Sequence, residues 1–226
     1  MRVRQRVRCV MSSEWEITGS TTGGGGKREK APAGNHLAVL VAVIDMGHQW
    51  QEPYEAGDKG YWSRRAYFVW ELCDEKIAGT DKNHVVAIDL TLSRRDTSKV
   101  AKWYKARTGQ EIPDPYNPTA ELGQHCMLNV VANAKGYPKV DGLTAVPKAL
   151  AGRLPAPTYP LTAVSLSQFQ GGAVLPDWLP WLYGNPVEDH VRASREIGKP
   201  KPDRKAGGGP SPVEDGPPVE SLGDVF

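Results

Sequence analysis

Cysteine is scarce in this 226-residue chain, and long apolar runs are missing. The three cysteines, Cys9, Cys73 and Cys126, lie far apart and form no CxxC pair, which excludes a disulfide framework and a zinc ribbon and favours a reducing compartment. No apolar run has the length of a transmembrane helix, and no apolar signal-peptide region follows the basic N-terminus. We therefore expect a soluble cytoplasmic protein that does not enter a membrane.

Sequence signatures of catalysis are also missing. The chain has no GxxxxGK[ST] phosphate loop, no GxSxG elbow, no HExxH motif and no paired carboxylates at a telling spacing. Its histidines are scattered, and the one adjacent His–Cys pair, His125 and Cys126, fits a packed strand. We therefore expect a protein without catalytic activity, cofactor or metal. The sequence leaves one alternative, a metal site assembled from residues that are distant along the chain.

Charge of one sign does not dominate, since 28 basic residues face 26 acidic ones and the net charge is +2. A uniformly basic, nucleic-acid-coating surface is thereby excluded. The charges are unevenly distributed: residues 1–10 contain four arginines, and the charged residues after Lys205 are all acidic. Met11 is a second candidate start, in which case residues 1–10 are not translated.

Composition divides the chain into four parts. Residues 1–33 are rich in Gly, Ser, Thr and charge, and we expect a disordered leader. Residues 34–150 carry strand and helix patterns, and residues 151–198 form a Pro- and Trp-rich extension with a C-terminal helix, here called the extension. Residues 199–226 have the composition of a disordered tail with an acidic tip that ends in Phe.

Hydrophobic periodicity in residues 34–150 predicts five strands, with a helix after the third that ends at Gly109 and a short helix after Asn117. The strands are expected at residues 37–44, 64–72, 85–92, 124–132 and 137–146, and the first helix at 96–108. This order predicts a mainly β protein with an OB-like five-stranded barrel and a helical insertion. Other small barrels and sheets fit the same periodicity.

The second strand, in YWSRRAYFVWEL at residues 61–72, carries the most informative pattern. One face is apolar and the other mixes cationic, aromatic and acidic side chains: Ala66, Phe68, Trp70 and Leu72 against Arg65, Tyr67 and Glu71. Guanidinium groups bind phosphate and flat rings stack on bases, so the second face suits single-stranded nucleic acid. The alternative is a half-buried strand whose polar face is merely solvated.

Two further groups of residues have the same chemistry. Aromatic rings lie in or beside the loop between the first two strands, and bases crowd the turn and helix after the third strand, although each base alone fits a solvated helix face. The candidate DNA-binding residues are Arg64, Arg65, Tyr67, Trp50, Tyr54, Trp62, Arg94, Arg95, Lys99, Lys102 and Lys105.

Several segments carry a resemblance to a known family. They are PAGNHLAVLVAVIDMG at 32–47, RRAYFVWEL at 64–72, LTLSRRDTSKVAKWYKARTG at 90–109 and ELGQHCMLNVV at 121–131. In these the chain resembles the phage-encoded single-stranded DNA-binding proteins of tailed-phage replication and recombination gene clusters, over residues 32–148. The resemblance implies an OB-like fold, sequence-independent DNA binding and, for a phage protein, the cytoplasm of a bacterial host. The chain departs from the family between Gly109 and Tyr116, where acids and prolines replace a basic residue.

The end of the chain, VEDGPPVESLGDVF, resembles the acidic, Phe-ended tips of bacterial and phage single-strand binding proteins. The resemblance implies a partner-binding site at Asp224, Val225 and Phe226 for replication or recombination proteins, with acids that also compete with DNA. An ordinary tail that happens to end in Phe is the alternative.

These patterns predict a non-catalytic single-stranded DNA-binding protein that recruits partners through its tail. The rival is a protein-interaction adaptor that docks through residues 178–181, WLPW, with the barrel as scaffold. Alternatively, the side chains of Trp178 and Trp181 pack back onto the barrel and form no docking surface. A single groove shared by Arg65, Tyr67 and the bases of residues 94–107 favours DNA binding, and separate sides favour the adaptor.

Overall fold

Two long antiparallel strands form the centre of the fold in this computed structural model, which describes residues 29–52 and 59–198. Strand β1 spans Gly34–Gln51 and strand β2 spans Tyr61–Lys76. Both extend well beyond the predicted apolar segments, because the flanking polar residues continue the ladder and Trp50 still pairs with Trp62. Irregularities near Leu40 and after Asp45 adjust the register of β1.

The remaining elements follow in the predicted order, including the C-terminal helix of the extension, and two short elements, a strand and a helix, are added before that helix. The remaining elements are β3 (Asn83–Thr91), α1 (Lys99–Thr108), a 3-10 turn (Pro118–Glu121), β4 (His125–Ala132), β5 (Pro138–Thr144), the added β6 (Thr162–Val164) and α2 (Leu166–Gln170), and α3 (Val187–Arg192). Ser98 caps α1 by accepting from the Ala101 N–H, and Gly109 ends it at a φ of 73°. The predicted C-terminal helix of the extension is present as α3 and is six residues long. In the part of the chain described here, no helix combines the length and apolar character needed to cross a membrane.

The strands form one open sheet in the order β3-β2-β1-β4-β5, with neighbours antiparallel. The first half of β1 pairs with β4, and its second half, from Ala42 to Ile44, pairs in parallel with β6. The edge strands β3 and β5 approach each other, but no ladder joins them within residues 29–52 and 59–198. The mainly β class is confirmed, whereas the described sheet has six strands and is not closed into a five-stranded barrel.

Each face of the sheet supports its own core. The first core lies between the sheet and α1 and contains the predicted apolar face of β2, from Ala66 to Leu72. The second core lies on the opposite face, where β1 and β2 pack against the extension through Leu179, Val187 and Val191. The extension therefore forms a layer of the fold.

The second face of β2 is buried, and its predicted exposure is wrong. Tyr67 is 1% exposed and Glu71 is completely buried, because the extension covers them. Alternation shows which residues share a strand face, but it cannot show that a segment about ninety residues later in the chain covers that face.

The last residues of the predicted leader belong to the fold. Ala31 is buried in the first core, the Lys30 ammonium donates to the Gly136 carbonyl at 2.9 Å, and the Ala78 N–H donates to Glu29 at 2.9 Å. The expectations for residues 1–28 and for the tail, including Asp224, Val225 and Phe226, lie outside the described residues.

Candidate nucleic-acid interface

One end of the sheet collects most of the predicted binding residues. We call it the hairpin end and define it by residues 49–51 of β1, residues 61–65 of β2 and residues 91–95 after β3. Thr91 pairs with Arg65, and the Leu92 N–H donates to the Arg64 carbonyl at 2.8 Å. The turn with Arg94 and Arg95 therefore leaves the sheet beside the loop that joins β1 to β2.

Two tryptophans form the aromatic part of the hairpin end. The rings of Trp50 and Trp62 pack edge to face with centroids 5.5 Å apart, and both side chains are half-buried. Gly60 lies directly against the Trp50 ring, since an added Cβ would be 2.2 Å from its Cζ2. Each ring thus packs on the protein and still has a part open to solvent. Tyr54, predicted in the same loop, lies outside the described residues.

The two adjacent arginines of β2 have different environments. The Arg64 side chain is 57% exposed, and one of its nitrogens lies 2.8 Å from Asp45 Oδ2, so the rest of its guanidinium is open to a ligand. The Arg65 side chain is only 16% exposed and lies 2.6 Å from the buried carboxylate of Asp89. It also donates to the Gln51 amide oxygen at 3.2 Å and to the Asp89 carbonyl at 3.1 Å. Arg65 is therefore a structural ion-pair partner, and its predicted place on an open binding face is wrong.

Tyr67 offers no ring face to a base in this structure. Its hydroxyl donates to the Pro180 carbonyl at 2.9 Å, and its ring belongs to the second core. Burial raises the pKa of Tyr67 far above its ordinary value, and the Asp89 carboxylate raises it further. The prediction of Tyr67 as a stacking platform on an exposed face is corrected to a core residue.

Acids from the segment after α1 neutralise several predicted cations. Arg94 forms an ion pair with Asp114 and Lys105 with Glu111, and the hydrogen bond that Lys105 donates to the Glu111 carboxylate raises the pKa of Lys105. These acids belong to the segment in which the sequence departs from the phage family. The local positive field is therefore weaker than a count of bases suggests.

The remaining cations lie on the α1 side of the sheet. Lys99 and Lys102 are exposed and have no ion-pair partner among residues 29–52 and 59–198, and Arg95 is also exposed. Alternation along β2 places Trp62 and Arg64 on the same face as Ala66, which is the face that α1 covers. Trp62, Arg64 and the α1 bases therefore share one side of the molecule, and Tyr67 lies on the other. Arg65 and Tyr67 therefore do not share one groove with the α1 bases.

Two exposed rings of the extension were not among the predicted DNA-binding residues. Trp181 is 62% exposed and Tyr183 is 75% exposed, and the Tyr183 hydroxyl donates to Asp89 Oδ1 at 2.7 Å. Desolvation of that hydroxyl and the Asp89 carboxylate raise the pKa of Tyr183 to about 12. Trp178 instead packs back onto Tyr159, with ring centroids 4.7 Å apart. Of the two tryptophans in the WLPW segment, only Trp181 is exposed to solvent.

A cleft of the first core lies beneath α1. Its walls include Trp70, Trp103 and Cys126, and an ion pair between Arg107 and Glu121 lines one side. Burial raises the pKa of the Cys126 thiol to about 12, so this thiol stays protonated at neutral pH. The cleft therefore has an apolar, aromatic wall whose charged groups neutralise each other.

Comparison of the chain with protein-family models, with curated proteins and with solved structures gives no match in any of the three. No relative therefore assigns a role to a residue of the hairpin end.

Proposed function

We propose that this protein binds single-stranded DNA without sequence preference and without catalysis, in phage-type replication or recombination. The observation that carries the proposal is the hairpin end, where two part-open tryptophan rings and Arg64 lie on the same side of the sheet as Lys99 and Lys102. Rings for bases and cations for phosphates are the two components of a single-strand site.

The order of elements supports an OB-type barrel as the frame of this site. The sheet runs β3-β2-β1-β4-β5, α1 lies between β3 and β4, and the two edge strands approach each other. A partly open, five-stranded barrel has this general form, and such barrels bind oligonucleotides on the face of strands two and three and on the loop between strands one and two. The hairpin end contains the end of β1, the start of β2 and the end of β3, which flank that loop.

The charges on this side predict modest affinity with clear salt dependence. Arg64, Lys99 and Lys102 are open to phosphate, and three neutralised phosphates of a single strand give a slope of log K against log salt of roughly −2. Each base stacked on a ring adds about 1–3 kcal/mol. The tail would recruit partner proteins through Asp224, Val225 and Phe226.

The proposal is tested by fluorescence anisotropy of a labelled poly-dT strand of about thirty bases with the full chain, at low and moderate salt. We expect micromolar or tighter binding that duplex DNA competes for poorly. Combined replacement of Arg64, Lys99 and Lys102 by Ala is expected to weaken binding about tenfold or more at low salt and to flatten the salt dependence.

A charge-matched control separates a site from general attraction. Lys135, Lys148 and Arg153 are exposed and lie outside the hairpin end, so their combined replacement by Ala removes the same charge. We expect near-normal binding by this control. No binding by the parent chain at low salt, or equal loss in both triple variants, would overturn the proposal.

The adaptor function is a second candidate, which is favoured by the exposed Trp181 ring and by the placement of Tyr67 and the α1 bases on separate sides of the sheet. Trp181 adjoins Pro180, whose carbonyl accepts from Tyr67 on the second-core side of the sheet, so a partner docked there leaves the α1 side free. If the adaptor function holds, Trp181→Ala abolishes capture of a discrete partner in pull-downs and the parent chain does not bind poly-dT. If Trp181→Ala and the parent chain capture the same proteins, the adaptor function fails.

A further inference from the structure

Three potential metal ligands meet away from the hairpin end, where β1 begins and β2 ends. His36 Nδ1 lies 3.4 Å from Asp74 Oδ1 and 3.7 Å from Glu75 Oε1. The three ligand atoms all lie within 4.8 Å of one another. Ala38 pairs with Leu72. Because the strands are antiparallel, His36, two residues before Ala38, and Asp74, two residues after Leu72, come together.

The His36 ring is held with a free nitrogen aimed at the two acids. Its side chain is only 6% exposed, and Nε2 lies 3.2 Å from the Pro32 carbonyl, to which it donates. In the neutral ring this bond leaves the lone pair on Nδ1, which is buried and has no hydrogen-bond partner in the described part of the chain. Buried ring nitrogens are normally paired, so this one requires an explanation.

We propose that His36, Asp74 and Glu75 bind a divalent first-row transition-metal ion, with Zn²⁺ as the best fit. Two ligand atoms at about 2.0–2.2 Å from zinc lie roughly 3.4 Å apart at the tetrahedral angle, close to the 3.4 Å and 3.7 Å that separate His36 Nδ1 from the two carboxylate oxygens. An imidazole ligand favours zinc over Mg²⁺ and Ca²⁺, which prefer oxygen ligands alone.

The surroundings of the three ligands match those of a metal site. A ligating histidine typically donates its other ring nitrogen to a carbonyl or carboxylate, which fixes the tautomer, and the Pro32 carbonyl fills that position. The two carboxylates are partly exposed, so an ion enters from solvent and a water molecule completes its coordination. A bound ion would also join the start of β1 to the end of β2.

The test titrates Zn²⁺ into the full chain, purified with chelator and dialysed, and follows calorimetric heat and melting temperature. We expect one ion per chain and a rise in melting temperature with zinc concentration. Co²⁺ in place of Zn²⁺ is expected to give the visible absorption of a low-coordinate cobalt site. The Asp74 and Glu75 side chains are partly exposed, so we expect Asp74→Asn and Glu75→Gln to fold normally. Each variant is expected to weaken Zn²⁺ binding at least tenfold.

Asp177→Asn is the matched control, because Asp177 is an exposed acid of the extension, outside the cluster. It is expected to bind Zn²⁺ as the parent does. Equal binding by the parent, Asp74→Asn and Glu75→Gln would place the ion elsewhere and overturn the proposal. Absence of zinc heat and cobalt absorption would overturn it too, leaving His36 as a partner of two carboxylates. The poly-dT experiment uses none of these residues, so the two proposals fail independently.

Discussion

Gly47 occupies a position in β1 that no other residue fills without strain. Its φ is +64°, and an added Cβ would lie 2.6 Å from Glu196 Oε2 and 3.0 Å from the Ser194 Cβ. The glycine therefore lets the end of the extension approach β1 at the point where the strand's register shifts.

We expect Gly47→Ala to lower the free energy of unfolding by about 2–4 kcal/mol, from left-handed backbone strain and from overpacking. Urea denaturation measures the change. Gly79→Ala is the matched control, because Gly79 has a φ of +75° but nothing within 4 Å of its added Cβ. Gly79→Ala should lower the free energy of unfolding by only about 1–2 kcal/mol. Equal costs in the two variants would mean that the close approach of Glu196 and Ser194 contributes nothing.

The environment of His36 shows what residue-level analysis of the sequence missed. An isolated histidine beside an apolar strand predicts packing, and the adjacent acids Asp74 and Glu75 lie 38 residues away from it. Only the pairing of Ala38 with Leu72 brings the three together. Pairing the two predicted strands in antiparallel register, with Ala38 opposite Leu72, would have placed His36 beside Asp74 and Glu75.

At the scale of elements, the extension is held to β2 by one buried carboxylate. Glu71 accepts from the Thr158 N–H at 2.9 Å and the Tyr159 N–H at 3.1 Å, and from the Asn83 amide at 2.6 Å. The side chain is fully buried, so these donors replace its water. The entry of the extension onto the second face is thereby fixed.

Glu71→Ala is expected to destabilise the protein by about 3–5 kcal/mol, because it leaves buried main-chain N–H groups unpaired and opens a cavity. Glu71→Gln keeps one acceptor oxygen and the volume, and it should cost about 1–3 kcal/mol. Chemical denaturation of both variants supplies the numbers. A loss below about 1 kcal/mol for Glu71→Ala would show that the entry of the extension is held by its apolar contacts alone.

Elements whose pattern is local were predicted well. Helix α1 was placed to within three residues at its start because Ser98 and Gly109 supply its caps and Val100 its buried side. The same reasoning failed for the second face of β2, where Tyr67 and Glu71 carry polar groups that suggest solvent. Their partners, Pro180 and Thr158, are remote in sequence and have no detectable period.

At the scale of the whole molecule, the end of the extension is tied back to the first strand. The Glu196 carboxylate lies 2.5 Å from His48 Nδ1 and accepts from the His48 N–H at 3.0 Å, and the Arg195 N–H donates to the His48 carbonyl at 3.0 Å. Burial alone would raise the pKa of Glu196, but the hydrogen bonds from His48 outweigh it and hold the pKa below the ordinary 4.5.

The lowered pKa of Glu196 makes its contribution to stability depend on pH. A carboxyl whose pKa is lower in the folded than in the unfolded state stabilises the fold above its unfolded value, and this contribution is lost as pH falls through the folded value. We expect Glu196→Gln to have a lower melting temperature than the parent at neutral pH and the gap to close in acid below about pH 4.5. Thermal melts of both proteins across this range measure the gap. A constant gap would contradict the assignment.

The overall architecture was predicted only in outline. The order of five strands with a helix after the third is confirmed, because alternation and helix caps mark each element. The sheet's openness and the sixth strand were not predicted, since β6 is only three residues long and pairs with Ala42 across more than a hundred residues. The sequence pattern was enough to expect Trp62 and Arg64 at the start of β2, whereas the orientation of Arg65 depends on Asp89 of another strand.

The central position of β1 has a consequence for synthesis on the ribosome. This strand is translated first among the described strands, but β4 follows only from His125 and β6 from Thr162. The second core is complete only once Val191 has emerged, so a growing chain carries an apolar face without its cover until the extension has been synthesised. We therefore expect ribosome-associated chaperones to bind nascent chains that stall near residue 150, because their apolar sheet face is still uncovered.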